Sequence, residues 1–168
     1  MRMRGNCVIG VVLLGTFVLI GFVRAQPASD EAEVRRKFGE LQAAMAKKDT
    51  EKIWALLSTK SQSEAEKTAK EARTFYAKAS ADEKAKLAES LGIKEAEIKD
   101  LTGPGMLKTK RFRKKYDELH ESKIEKVVIQ GDNATVHFLE PDGDHEKAIL
   151  LRQDKQWMFW LAIPKLSK

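Results

Sequence analysis

The three histidines, His120, His137 and His145, are the first groups to weigh for acid–base or metal chemistry. No two of them stand four residues apart, the interval that sets both imidazoles of a helical zinc site on one face. His137 lies between Val136 and Phe138 in a β-branched, aromatic run. An imidazole there serves as acid or base if its face lines a cavity, and is an ordinary hydrogen-bonded strand residue if not. His120 closes a helical stretch, where its charge suits the helix dipole, and His145 opens a strand. Pro141-Asp142-Gly143-Asp144 puts two carboxylates in one turn, as a calcium loop does, but lacks the other spaced ligands and the closing bidentate glutamate. A hairpin turn is expected there. Gly103-Pro104-Gly105 is too short to cradle a phosphate and reads as a helix stop. No catalytic constellation, metal site or cofactor site is expected from these patterns.

Large rings and clustered cations are the other candidates. Trp54, Tyr76, Phe112, Tyr116, His137, Trp157 and Trp160 are the expected lining of an apolar ligand pocket, if one exists. The same aromatics would serve as plain core. Lys108, Lys110, Arg111, Arg113, Lys114 and Lys115, with Phe112 and Tyr116, form a basic helix over 108–119. It suits an anionic membrane surface or an acidic partner, or else is a solvated face whose aromatics turn inward. Asn133-Ala134-Thr135 matches a glycosylation sequon, which matters only in a eukaryotic secretory pathway.

Helices must position most of these groups. Val34, Phe38, Leu41 and Met45 recur at spacings of four, three and four, so a first helix buries one face, opened by Ser29 or Asp30. Asp49 or Thr50 caps a second, short helix carrying Ile53, Trp54 and Leu57. After a hydroxyl-rich break over Ser58 to Ser63, Ala65, Ala69, Ala72 and Tyr76 form a thin apolar seam on a third. Ser80 with Glu83 signals a capping box, and Gly92 suits the left-handed position that ends the helix bearing Leu87 and Leu91. A further segment carries Ile98 and Leu101.

From Lys123 the period changes from helical to alternating. Ile124 to Gln130, Ala134 to Glu140, His145 to Gln153 and Gln156 to Ile163 read as strands separated by short polar turns, so neighbours must be antiparallel. The expected fold class is α+β: N-terminal helices packed on a C-terminal four-stranded antiparallel meander. In the last strand Trp157, Phe159, Leu161 and Ile163 point one way and Met158, Trp160 and Ala162 the other, so both sheet faces are apolar. One face meets the helices; the second needs another cover, for which a homodimer through the sheet is one solution.

The N-terminus bears on compartment. Arg2 and Arg4 precede an apolar stretch from Val8 to Ile20, and Val23 and Ala25 stand where a signal peptidase reads. A signal peptide over 1–25 and a single domain over 26–168 are expected, with an uncleaved anchor as the alternative. Cys7, the lone cysteine, would leave with the signal, as would Arg2, Arg4 and Arg24, reducing the net charge from +6 to +3. Such a chain is periplasmic or secreted, with bacterial export favoured. With 33% charged residues of both signs interspersed, its surface does not suit nucleic acid.

Phe38-Gly39-Glu40-Leu41, Ala46-Lys47-Lys48-Asp49-Thr50, Ile53-Trp54-Ala55-Leu56-Leu57-Ser58 and the closing Gln156-Trp157-Met158-Phe159-Trp160-Leu161 resemble the corresponding parts of nuclear transport factor 2-like domains. Residues 59–122 depart from that pattern, reading as several charged helices. The resemblance implies a cone-like sheet curved around helices, often dimeric and often enclosing an apolar cavity; members include ketosteroid isomerase-type enzymes and pure binding domains. No catalytic carboxylate or tyrosine transfers by position. The expected function is a non-enzymatic binding or interaction domain for a small apolar ligand or a protein partner. A small cavity enzyme of isomerase or hydrolase type, and a membrane-proximal adaptor using the basic helix, are the alternatives.

Overall fold

The computed structural model describes residues 27–166. The apolar stretch from Val8 to Ile20 and the expected cut after Ala25 lie outside them. Among the described residues, no helix is long and apolar enough to cross a membrane.

The chain is α+β. Among the described residues seven helices precede the strands: α1 (Pro27–Ala46), α2 (Thr50–Leu56), α3 (Thr59–Lys78), α4 (Ala81–Leu91), α5 (Glu95–Ile98), α6 (Gly103–Met106) and α7 (Lys110–Tyr116). A 3₁₀ turn at Glu118–Glu121 leads to the meander β1 (Lys123–Gln130), β2 (Asn133–Leu139), β3 (His145–Gln153) and β4 (Gln156–Trp160), in spatial order β1-β2-β3-β4.

The helical periodicities are realised as burial. Val34, Phe38 and Leu41 of α1 are fully buried, and Phe38 packs on Phe138 and Phe159 of the sheet. α1 begins at Pro27, ahead of the expected cap, and Asp30 instead receives Arg152 Nη2 of β3 at 2.6 Å. Asp49 caps α2 through the Lys52 N–H. Ser80 and Glu83 form the capping box of α4, and Gly92 ends it at φ +66°. A Cβ at Gly92 would lie 2.5 Å from Lys110 Cβ, so close packing against α7 adds to the conformational demand for glycine.

Two stretches expected as breaks are helical. Ser58 is the N-cap of α3, its Oγ accepting the Ser61 N–H, so the hydroxyl-rich run starts a helix. Gly103-Pro104-Gly105 opens α6 with Thr102 as cap and proline in the first turn, where its missing N–H costs nothing. Gly103 is required by contact: a Cβ there would lie 2.6 Å from both Trp54 Cη2 and Glu66 Oε1. The alanine seam of α3 is entirely buried at Ala65, Ala69 and Ala72, small side chains that let α6 approach closely.

The α2–α3 joint closes the β4 edge of the sheet. Leu57 forms a parallel bridge to Phe159, and the Ser58 N–H donates to the Phe159 carbonyl at 2.8 Å. The buried Ser61 hydroxyl accepts the Leu161 N–H at 2.9 Å and donates to the Leu161 carbonyl at 3.0 Å. Edge groups that would recruit another strand are thereby satisfied.

The inner face of the sheet, with Ala134, Val136, Phe138, Ala148, Leu150, Trp157 and Phe159, is buried beneath the helices. A bulge between Ile124 and Lys126 reverses the alternation of β1, so Ile124, Val127 and Ile129 pack inward and Lys126 and Val128 turn out. The outer face is built in rows across the strands: Lys123, Leu139 and His145; then Lys126, His137 and Lys147; then Val128, Thr135, Ile149 and Trp160; then Gln130, Asn133, Leu151 and Met158. Lys60 of α3 lies over Trp160 at the edge of these rows, and their apolar side chains are only part-buried.

Candidate functional site

A cleft of about 320 Å³ opens at the end of the sheet where the β2–β3 turn meets α7. Apolar side chains of Leu119, Phe138, Ala148 and Leu161 form its walls, with Ile149, Trp160 and Ala162 beside them. The polar groups are Tyr116, Glu140 and Glu146, with Lys115 and Lys147 at the rim. Register explains the mixture: Phe138 pairs with Glu146, so the last inward-facing position of β3 carries a carboxylate just beyond the core. An apolar hollow with a few convergent polar groups has the composition of small-molecule sites, and this volume lies near their lower limit.

Tyr116 is placed by both its neighbours. Its ring packs on Phe112 with centroids 4.9 Å apart, and its hydroxyl donates to the Ala162 carbonyl at 2.9 Å. Burial pushes its phenol far above the usual range, so it is a neutral hydrogen-bonding group at any physiological pH. Burial also raises Glu140, and the negative charges of Glu118, Glu146, Asp142 and Asp144 raise it further. Glu118, Glu140 and Asp142 bring carboxylate oxygens within 4.8 Å of one another, a spacing that crowds like charges and is short enough to share a cation. The turn itself closes by backbone bonds, Glu140 N–H to the Asp144 carbonyl and Gly143 N–H to the Glu140 carbonyl, with Asp142 Oδ1 accepting the Asp144 N–H. The arrangement can hold an apolar body against the wall and a hydrogen-bond donor or positive group against Glu140.

The seven aromatic and histidine candidates do not share one cavity. Trp157 and Phe112 are core residues with at most 1% of their surface exposed. Tyr76 is buried on α3, its hydroxyl donating to Glu95 at 2.9 Å. Trp54 packs against α6 at Gly103. His137 lies on the outer sheet face in a shallow depression with Val128, Thr135, Lys147 and Ile149. Tyr116 and Trp160 alone both border the cleft. Phe112 and Tyr116 also meet at a second hollow of about 220 Å³ floored by Met45, Ile53 and Leu107.

The basic helix divides its side chains by height. Phe112 is buried and Tyr116 half-buried, while Lys110, Arg113, Lys114 and Lys115 are exposed. Arg111 is tied to the Ser90 and Lys165 carbonyls at 3.2 and 2.9 Å. His145 pairs with Glu125 at 2.9 Å. Sequence reading missed Glu140 and the walls Leu119, Phe138 and Ala148. The density of carboxylates from Glu140 to Asp144 was the available signal, but it was legible only as a turn.

No protein-family model, curated protein or solved structure shows significant similarity to this chain.

Proposed function

We propose that the protein is an exported, non-enzymatic binding domain that takes a small, largely apolar ligand in the cleft beside Tyr116. The observation carrying this reading is the union in one hollow of apolar walls, a phenol that stays neutral and a carboxyl of raised proton affinity. Glu140 selects a ligand end that donates a hydrogen bond or carries positive charge. The opening helix pair and the closing strand resemble nuclear transport factor 2-like domains, and that resemblance, which implies a fold often enclosing an apolar cavity, supports the reading. Export rests on the basic and apolar N-terminal residues, and it predicts a mature chain starting at Gln26.

The neutral dye N-phenyl-1-naphthylamine tests the cleft. Its fluorescence should rise on binding the wild type and fall back with Ala162→Trp, which fills the cleft from an exposed position. Absence of binding, or equal binding by the variant, rejects the reading. Native mass spectrometry of the protein from its own host checks the Gln26 start and any retained ligand.

Glu140 also supports a second reading, an acid–base enzyme of the hydrolase or isomerase kind, because a carboxyl with raised proton affinity beside an apolar wall is how general acids are made. Hydrolysis of p-nitrophenyl acetate that disappears in Glu140→Gln would favour it. Equal rates in the two proteins end it for that reaction class.

A further inference from the structure

The outer face of the sheet is a second surface, which adjoins the cleft at Lys147, Ile149 and Trp160 but does not include Tyr116 or Glu140. In the three rows from Lys126 to Met158 there is no carboxylate: Lys126 and Lys147 flank His137, and the next two rows are centred on Val128, Ile149 and Leu151, while the fourth row, Lys123, Leu139 and His145, adjoins the Glu125 carboxylate. Lys60, at the start of α3, reaches over the Trp160 ring with Nζ 4.0 Å from its centroid, adding a cation at the β4 border. The bulge at Glu125 is what turns Lys126 outward, and Glu125 itself is engaged by His145. The result is a face that is apolar at its centre and positive along the Lys126–Lys147 side and at the Trp160 corner.

We propose that this face docks on an anionic lipid surface. Paired strands set several outward residues side by side where a helix would present only a stripe, so apolar residues and lysines can engage a surface together. Aliphatic and indole groups suit the boundary between headgroups and acyl chains, and lysines beside them gain attraction from acidic headgroups. A second copy stacked so that equivalent rows meet is disfavoured by charge, because the Lys126–His137–Lys147 row would oppose itself with no carboxylate in it to compensate. A neutral apolar partner would leave the same lysines desolvated.

The test is vesicle co-sedimentation, using both the full chain and the chain from Gln26, since the buried core lies wholly between Val34 and Ile163. Binding of the shorter chain to vesicles of 30% phosphatidylglycerol in phosphatidylcholine is expected at low salt. It should weaken steeply at high salt and be absent with phosphatidylcholine alone. The double variant Lys126→Glu with Lys147→Glu should bind at least roughly tenfold more weakly, whereas Lys114→Glu with Lys115→Glu on α7 should bind as wild type. Circular dichroism confirms that each variant is folded. No binding at low salt, equal binding to neutral vesicles, or loss confined to the α7 variant overturns the proposal. A dimer in sedimentation velocity that the Lys126/Lys147 variant alters would assign the face to a second copy instead. Retention of only the full chain would assign membrane contact to residues 1–25.

Discussion

Along β4, Trp157 and Phe159 are completely buried, while Met158 and Trp160, one residue away, remain part-exposed. Both sets are apolar, and strand alternation alone treats them alike. They differ because α1 and the α2–α3 joint lie over one side, whereas on the other the Lys60 side chain of α3 reaches over Trp160 alone. The inner face meets complementary rings, Phe38 against Phe138 and Phe159, whereas the outer face alternates Val128, Ile149 and Leu151 with lysines, histidine and amides. A covered face needs shape; an uncovered one needs enough polarity to stay solvated until something docks.

The sharpest way to break this contrast is to truncate both tryptophans. Trp157→Ala should cost about 3–5 kcal/mol by chemical denaturation, because it empties a site enclosed on every side. Trp160→Ala should cost less than half as much, because part of its ring already faces solvent. Equal losses would show that the outer face is covered as fully as the inner.

Next in size is the staple on the β4 edge. Ser61→Ala removes the hydroxyl that serves both the Leu161 N–H and its carbonyl, leaving buried backbone groups unpaired at an expected cost of about 1–3 kcal/mol. A fall below about 0.5 kcal/mol would mean that water or Ser58 replaces the bond, and that the edge is not held by this serine.

The smallest effect belongs to the cleft and has the opposite sign. Folding raises the pKa of Glu140 through burial and four neighbouring carboxylates, so its ionisation favours unfolding. The penalty is complete above the folded-state pKa, fades as pH falls, and is gone below the unfolded value near about 4.3. Glu140→Gln should therefore be more stable than wild type at pH 7, by less than about 1 kcal/mol after solvent screening, and indistinguishable near pH 4. Thermal melts at the two pH values check this; a variant that is less stable at pH 7 would show that the charged carboxylate is supported by its surroundings.

Much of the architecture was legible because it is local. The spacing of Val34, Phe38 and Leu41, the Ser80–Glu83 box, the left-handed Gly92 and the turns at Gly131 and Gly143 are governed by backbone geometry within a few residues. The breaks expected at Ser58–Ser63 and Gly103–Gly105 are helical for a tertiary reason. Ser58 and Ser61 are committed to the β4 edge, and Gly103 to contact with Trp54 and Glu66. The ring-based pocket dispersed because aromatic residues are chosen by both core and cavity, and composition does not distinguish them.

By itself, then, the sequence determined the order of helices before strands, the alternation of the sheet and the antiparallel meander, since each follows from periodicity and short connections. Only the tertiary structure decided which apolar face is covered, how a bulge turns Lys126 outward, and that Glu140 meets Tyr116 at one cleft. Those outcomes depend on groups far apart in the chain, whose proximity no local pattern encodes.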